Sequence, residues 1–294
     1  MPGKKCAFTA IIGRPSVGKS TLLNKMCGGK VAIVSKVPQT TRNAIRGIVN
    51  REQGQIIFID TPGRHSSEKK FNKKLMEVSV RALEESDLVM YVMDAIRAPG
   101  IEEDEIAALL APQSVKTIIA VNKMDAQGAD FKRAQEYIEQ KIPALKDRCF
   151  EVSANTGQGI DALLAALYDL APEGDAQYGD EYYTDQDTGF RITEIIREQA
   201  INRLFQELPH SLYVDIADME FKNEKLWVRA FIVVERESQK GMVVGKGGEM
   251  IKAIRLASLK ELKQIFDWKI DLDLRVKTGK DWRHNDNTLK KLIT

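Results

Sequence analysis

The sequence has little of what builds metal centres or thiol chemistry. Three cysteines (Cys6, Cys27, Cys149) and three histidines (His65, His210, His284) are scattered through 294 residues. None stand at a metal-ligand spacing, and an odd, dispersed set makes no disulfide framework. Zinc-dependent and histidine-based catalysis therefore have no signature, and buried free thiols in a reducing compartment are expected. Apolar runs are short. None approaches the roughly 18 residues of a membrane span, and no apolar core follows the opening MPGKK, so a cytosolic chain without a spanning segment is expected. A net charge of +2 excludes a strongly basic or acidic protein, and no internal repeat or low-complexity tract is visible. What remains is an ordinary globular composition, 43% apolar and 29% charged, at a length that suits two domains.

Against that background one stretch stands out, GRPSVGKS, from Gly13 to Ser20. This is the Walker A pattern, two glycines separated by four residues and followed by Lys and Ser. The apolar run Cys6–Ile12 before it reads as a buried strand, and Thr21–Met26 after it as a helix. Glycines in such a loop let backbone N–H groups converge on phosphate oxygens, and the helix start adds partial positive charge. Gly13, Arg14, Pro15, Ser16, Val17, Gly18, Lys19, Ser20 and Thr21 are thus candidate nucleotide contacts. Lys19 would reach the β- and γ-phosphates, and the Ser20 hydroxyl would ligate Mg²⁺.

Up to about residue 170, short apolar runs alternate with amphipathic stretches at 102–111 and 130–142. The runs are Ile56–Ile59, Leu88–Met93 and Thr117–Val121. Strands buried on both faces and alternating with helices imply an α/β domain, a mostly parallel sheet with helices on both faces. Ligands of such sheets sit at the carboxyl ends of the strands, and further motifs fall there. Asp60-Thr61-Pro62-Gly63 follows one run; Asp60 can hold Mg²⁺ through water, and the Gly63 N–H can contact a γ-phosphate. Asn122-Lys123-Met124-Asp125 follows another. The Asp125 carboxylate can accept from guanine N1–H and the exocyclic amine, a pairing adenine cannot make. Asn122 would brace the loop while the Lys123 stem covers the base. Ser153-Ala154-Asn155 follows the short run Cys149–Val152, where a backbone N–H would meet guanine O6. Gln39-Thr40-Thr41-Arg42 lies in a polar stretch between the first helix and the second strand. A Thr there can close over Mg²⁺ when γ-phosphate is present, which makes a switch, and Thr41 is favoured over Thr40. Lys19, Thr41 and Gly63 are the catalytic candidates; Ser20, Thr41 and Asp60 are the candidate metal ligands.

The texture changes at 171–190, which holds six acidic residues and no Lys or Arg and reads as a linker or partly docked connector. From 191 a helix (Ile192, Ile195, Ile196, Ala200, Leu204) leads to strands Leu212–Ala217 and Lys225–Glu235, joined by the turn FKNE. A GKGG loop at Gly245–Gly248, a helical pattern through Ile251, Ile254, Leu262 and Ile265, and a strand at Lys269–Lys277 complete an α-β-β-α-α-β order. Residues 239–291 carry thirteen Lys/Arg against seven Asp/Glu. Lys240, Lys246, Lys252 and Arg255 flank the loop glycines Gly245, Gly247 and Gly248 and are the candidate phosphate contacts. Ile251 and Ile254 read as core; Trp268 and Trp282 suit packing or base stacking.

In order, the five nucleotide motifs resemble the translation-factor-related class of GTPases. With the second unit, the chain resembles the Era family, bacterial ribosome-assembly GTPases that join a P-loop GTPase domain to a type II KH domain. QTTR, DTPG, NKMD and EIIRE (Glu194–Glu198) carry the resemblance over almost the whole chain. It implies a G domain at 1–171, an acidic linker at 172–190 and an α+β KH domain at 191–294 whose GxxG loop clamps single-stranded RNA. It also implies GTP and GDP with Mg²⁺, slow intrinsic hydrolysis, and a monomer acting on the 3′ end of small-subunit ribosomal RNA in the immature subunit. Peripheral association with the inner face of the cell membrane belongs to the same resemblance.

Two positions depart from common patterns. Arg64 follows the DTPG glycine where Ras-like enzymes place Gln, and a guanidinium cannot act as base. Lack of that Gln is a feature of the Era-like class, so catalysis is expected to rest on loop and metal electrostatics and an ordered switch. Ser16 stands where many Era-like loops have Asn, which in potassium-activated relatives helps coordinate K⁺; K⁺ activation is expected to be weakened here. Two further readings compete: a nucleotide-sensing RNA binder without turnover, and a GTPase that acts on protein or membrane partners. Lys19, Ser20, Thr41 and Asp60 argue against the first, and the GxxG loop against the second.

Overall fold

The computed structural model describes residues 3–35, 37, 40–61, 80–205, 207–285, 288–289 and 292. Gln39, Pro62, Gly63, Arg64 and His65 lie outside them. The chain divides into two units, Met1–Ala32 with Pro38–Asp185 and Leu292–Thr294, and Ile33–Val37 with Gln186–Lys291.

The first unit is built on strands β1 (Lys5–Ile12), β2 (Ile45–Arg51), β3 (Gly54–Asp60), β4 (Leu88–Asp94), β5 (Thr117–Asn122) and β6 (Cys149–Glu151), in the order β2-β3-β1-β4-β5-β6. Neighbours are parallel except β2, which runs antiparallel to β3. Strands β4 and β5 are buried along their whole lengths, which explains their unbroken apolar runs. Helices α2 (Ile101–Leu110) and α3 (Phe131–Lys141) pack on one face through Ile106, Leu110, Ala134 and Ile138. Helices α1 (Lys19–Cys27) and α4 (Ile160–Leu170) cover the other. Register then aligns the motifs: Ile11 stands opposite Asp60, and Asp94 opposite Asn122.

One feature differs from the expectation, and another bears on an alternative that the sequence leaves open. Strand β2 lies inside the stretch read as polar, because Arg46, Asn50 and Arg51 interrupt its buried Ile45, Ile48 and Val49. The acidic stretch, which reads as a linker or partly docked connector, lies against β2 along 173–185. Gly47 bridges Thr184, the Ile48 N–H donates to the Tyr183 carbonyl at 2.9 Å, and Arg46 pairs with Asp185 at 3.0 Å. Buried Gln55 holds the backbone of Gln177 and Tyr178 with both ends of its amide. The segment thus straps the open edge of β2, an edge that would otherwise expose unpaired backbone groups.

The second unit opens with α5 (Thr188–Ile201), begun by Asp187, whose carboxylate accepts from the Phe190 N–H at 2.8 Å. The helix starts three residues before the expected boundary at 191. Strands β7 (Tyr213–Lys222) and β8 (Lys225–Val234) form a hairpin closed by Asn223 and Glu224, both at positive φ (50° and 58°), as a tight two-residue turn requires. Strand β7 thus extends to Lys222, beyond the expected Ala217. Helices α6 (Glu237–Val244) and α7 (Glu249–Ile265) then lead to β9 (Lys269–Thr278), parallel to β8. The α-β-β-α-α-β order is the expected one. Helix α6 stands between the second strand and the GKGG loop, so the loop joins two helices. The core lies between the sheet (Val228, Ala230, Ile232, Leu272) and Ile192, Ile196, Ile254 and Leu262 of the helices.

Candidate functional site

The loop after β1 is shaped by what it must approach. Gly18 has a φ of 96°, and a Cβ there would stand 2.5 Å from Asn122 Nδ2, so no other residue fits unchanged. Lys19 is buried, its Nζ donating to the carbonyls of Gly13 (2.9 Å) and Arg14 (3.2 Å). Burial pulls its ammonium down to about 8, with the Asp60 charge pulling the other way. Asp60 has no exposed surface. Its Oδ2 accepts from Ser20 Oγ at 2.6 Å and from Thr41 Oγ1 at 3.4 Å; the two hydroxyls are 3.0 Å apart. Burial pushes this carboxyl upward, opposed by Lys19, Ser20 and Thr41. Among the described residues Asp60 Oδ1 has no hydrogen-bond partner. A buried acceptor without a donor, beside two hydroxyl oxygens, suits a hard cation such as Mg²⁺ or its water. Among the described residues no cluster of three His, Cys, Asp or Glu side chains offers another metal site.

Arg14 belongs to the loop by its backbone. Its side chain is buried, with Nε 2.8 Å from Glu103 Oε1 of α2 and the guanidinium near the carbonyls of Arg97 and Ala98. Glu103 also accepts from the Gly100 N–H at 2.9 Å. Sequence reasoning passed over Glu103, since an acidic residue in an amphipathic stretch reads as solvated.

On the other side of the loop, Asn122 ties two segments together. Its Nδ2 donates to the Val17 carbonyl and its Oδ1 accepts from the Ala154 N–H, both at 2.9 Å. Lys123 Nζ donates to the Ser16 carbonyl and to Asp94 Oδ2, both at 2.8 Å, which lays its stem along the loop. Asp94 was also missed; the signal was its place at the carboxyl end of an apolar run. Burial works to raise its carboxyl, but Lys123 and the Ile96 and Arg97 N–H groups hold it below the usual range. Asp125 Oδ1 accepts from Ser153 Oγ at 2.7 Å and Oδ2 from Asn155 Nδ2 at 3.1 Å, and these donors keep its carboxyl low. Ser153 and Asn155 therefore contribute side chains, beyond the expected backbone N–H. A pocket of about 260 Å³ opens here, lined by Gly18, Thr21, Asn122, Lys123, Asp125 and Ala154 among others.

In the second unit Gly247 (φ 61°) and Gly248 (φ 81°) leave open space where a Cβ would stand. Lys246 and Lys252 are exposed and make no ion pair with the described residues, whereas Lys240 lies 3.5 Å from Glu237. The Arg255 guanidinium is bound to the Leu272 carbonyl and lies 3.6 Å from Asp271, so it is engaged with β9. Ile254 is core and Ile251 packs against it. Trp282 is buried, its Nε1 donating to the Ser211 carbonyl at 3.1 Å; Trp268 packs on Phe221 and Phe266. No helix among the described residues is long and apolar enough to cross a membrane.

Comparison with known proteins agrees with this division. Residues 8–123 match the family described as 50S ribosome-binding GTPase, and residues 207–283 match the KH domain. GTPase Era of Treponema denticola is 53% identical over 285 residues, covering 96% of this chain and 97% of that protein. GTPase Era of Borrelia hermsii is 45% identical over 289 residues, covering 98% and 99%. Among solved structures, a variant of Aquifex aeolicus Era bound to GDP·AlF₄⁻ superposes with a TM-score of 0.93 at 31% identity, covering 98% of each chain. A structure of Era with MgGDPNP and nucleotides 1506–1542 of 16S ribosomal RNA matches equally, again with a TM-score of 0.93 and 98% coverage. A P-loop domain whose buried aspartate faces two hydroxyls, followed by a KH domain and matched by such relatives over nearly its whole length, places this chain in the Era family of GTPases.

Proposed function

We propose that this chain hydrolyses GTP to GDP and phosphate and uses the nucleotide state to control binding of single-stranded RNA at the 3′ end of small-subunit ribosomal RNA during subunit assembly. The observation that carries it is the meeting of Ser20, Thr41 and Asp60, which come from three separate segments. A threonine recruited from a loop to a phosphate-binding helix start is a state-dependent contact.

In this reading the backbone of Gly13–Thr21 cradles the phosphates, and Lys19 exchanges its carbonyl partners for β- and γ-phosphate oxygens. Ser20 and Thr41 would hold Mg²⁺, with Asp60 reaching it through water, and the ion would supply neutralisation of phosphate charge. Gly63, three residues beyond Asp60, is assigned the γ-phosphate contact. Asp125, kept ionised by Ser153 and Asn155, accepts from the guanine edge, while Asn122 braces and Lys123 covers. Lys246 and Lys252 meet RNA phosphates around Gly247 and Gly248, with Lys240 nearby.

Steady-state GTP hydrolysis, with and without a single-stranded oligonucleotide matching the small-subunit RNA 3′ end, tests the reading. RNA-dependent stimulation is expected. A slow rate indifferent to RNA would leave a nucleotide sensor or a different trigger.

A further inference from the structure

One buried ion pair stands directly behind the phosphate loop. Arg14 is 4% exposed and Glu103 2%, and Arg14 Nε lies 2.8 Å from Glu103 Oε1. Among the described residues Arg14 Nε has no aligned hydrogen-bond acceptor, so the attraction is chiefly one of charge. A buried pair of this kind is often no more stable than apolar side chains of similar size, so stability alone is weak grounds for it. Its location supplies a second ground. The carbonyls of Gly13 and Arg14 are the ones that accept from Lys19 Nζ. Glu103 stands in the first turn of α2, where its other oxygen is anchored by the Gly100 N–H. The Arg14 guanidinium also reaches the carbonyls of Ala98 (3.4 Å) and Arg97 (3.5 Å), between β4 and α2. Arg133 of α3 braces that same segment, donating to the carbonyls of Ala95 and Ile96 at 2.8 Å each. The first half of the phosphate loop is therefore moored to a braced segment, as the second half is moored by Asn122 and Lys123.

We propose that Glu103 is a positioning residue for the nucleotide phosphates. It holds Arg14 by charge, and Arg14 through its own backbone sets where the Gly13 and Arg14 carbonyls and the N–H groups from Ser16 onward stand. A loop already in place need not be ordered when phosphate binds, and the ordering avoided appears as affinity. Glu103 acts through Arg14 and not on the nucleotide itself. The inference rests on the reading of Gly13–Thr21 as the phosphate cradle. The guanine side is held by a different set, Asp125 with Ser153 and Asn155. Loss of the pair therefore weakens phosphate binding and leaves base choice as it is.

The test uses the full chain with GDP, IDP and GTP in the presence of Mg²⁺, and urea unfolding without nucleotide alongside. Glu103→Gln removes the charge but keeps an oxygen for the Gly100 N–H, so the start of α2 stays capped. It is expected to lower GDP affinity by about 10-fold. KM for GTP should rise in step while kcat changes by less than about twofold, the mark of lost uniform binding. Preference for GDP over IDP, which lacks the amine that Asp125 reads, should be unchanged. The double variant Arg14→Met with Glu103→Leu removes both charges at similar volume, and it carries the test should Glu103→Gln fail to fold. It should unfold at a urea concentration near that of the unaltered chain and still bind GDP about 10-fold more weakly. A double variant that unfolds well below the unaltered chain, or that regains GDP affinity together with stability, would mark a merely structural pair and overturn the proposal. Normal GDP binding by Glu103→Gln would leave Glu103 only its role at the start of α2, and overturn it as well. So would a fall in kcat at unchanged GDP affinity, or a lost preference for GDP over IDP. If the unaltered chain itself binds no GDP, the reading of the phosphate cradle fails and the inference with it.

Discussion

Asp125 is held by two short side chains, and its chemistry is open to test one atom at a time. Guanine presents two donors to it, N1–H and the exocyclic amine. In Asp125→Asn one acceptor becomes an NH₂ donor, which faces the amine unfavourably but suits the 2-oxo group of xanthine. Guanosine nucleotide affinity should fall by about 10²-fold and xanthosine affinity should rise, measured by competition against labelled GDP. Ser153→Ala removes the donor at 2.7 Å, so the carboxyl rises toward its ordinary range. Only the ionised form accepts from both guanine donors. The lowered pKa of the unaltered chain keeps that form present as pH falls, and the variant loses it earlier. GDP affinity of Ser153→Ala should therefore decline at higher pH than that of the unaltered chain in a titration from about pH 7 to about pH 4. The identities of these groups were legible from spacing alone. Their partners were not, because Ser153 lies 28 residues from Asp125, and nothing local in NKMD says which donors will face it. At Ser16 the backbone is left-handed (φ 65°), a conformation Asn also tolerates. Hydrolysis should proceed equally in KCl and NaCl, and a large KCl stimulation of the unaltered chain would count against the weakened K⁺ role.

At the scale of elements, the strap over β2 depends on one buried amide. Gln55 is 1% exposed and uses its whole capacity: Nε2 donates to Asn50 Oδ1 and the Tyr178 carbonyl, and Oε1 accepts from the N–H groups of Gln177 and Tyr178. Gln55→Leu would leave those groups unpaired, a loss of about 2–4 kcal/mol in urea unfolding. Amide exchange at 177–183 should quicken while GDP affinity stays unchanged. The strands β1, β3, β4, β5 and β8 were readable because their burial pattern matches a simple rule, continuous for the doubly covered ones and alternating in β8, whereas β7 is exposed beyond Ile216 and was read short. Strand β2 obeys neither rule. As an edge strand under a strap it alternates imperfectly, and its polar residues serve the strap through Arg46 and Asn50. Composition left 171–190 as a linker or a partly docked connector and could not decide between them, because Asp185 meets Arg46 across more than a hundred positions. Glu103 escaped notice in the same manner, its partner Arg14 lying in another motif.

For the whole molecule the decisive question is whether the GxxG loop is the input to the nucleotide site. Gly247 is suited to answer it. A Cβ there meets nothing within 4 Å, and Asp tolerates its φ of 61°, so Gly247→Asp should leave the fold intact. What it adds is a carboxylate where an RNA phosphate must approach. RNA affinity should collapse while GDP affinity is retained, and unchanged RNA binding would remove the clamp assignment. Lys246→Ala is the milder companion. Removing one phosphate contact should lower the slope of log affinity against log salt by about 0.7 for a single strand, without changing which sequences are preferred. If RNA stimulates hydrolysis in the unaltered chain, Lys246→Ala should need more RNA to reach the same maximal rate.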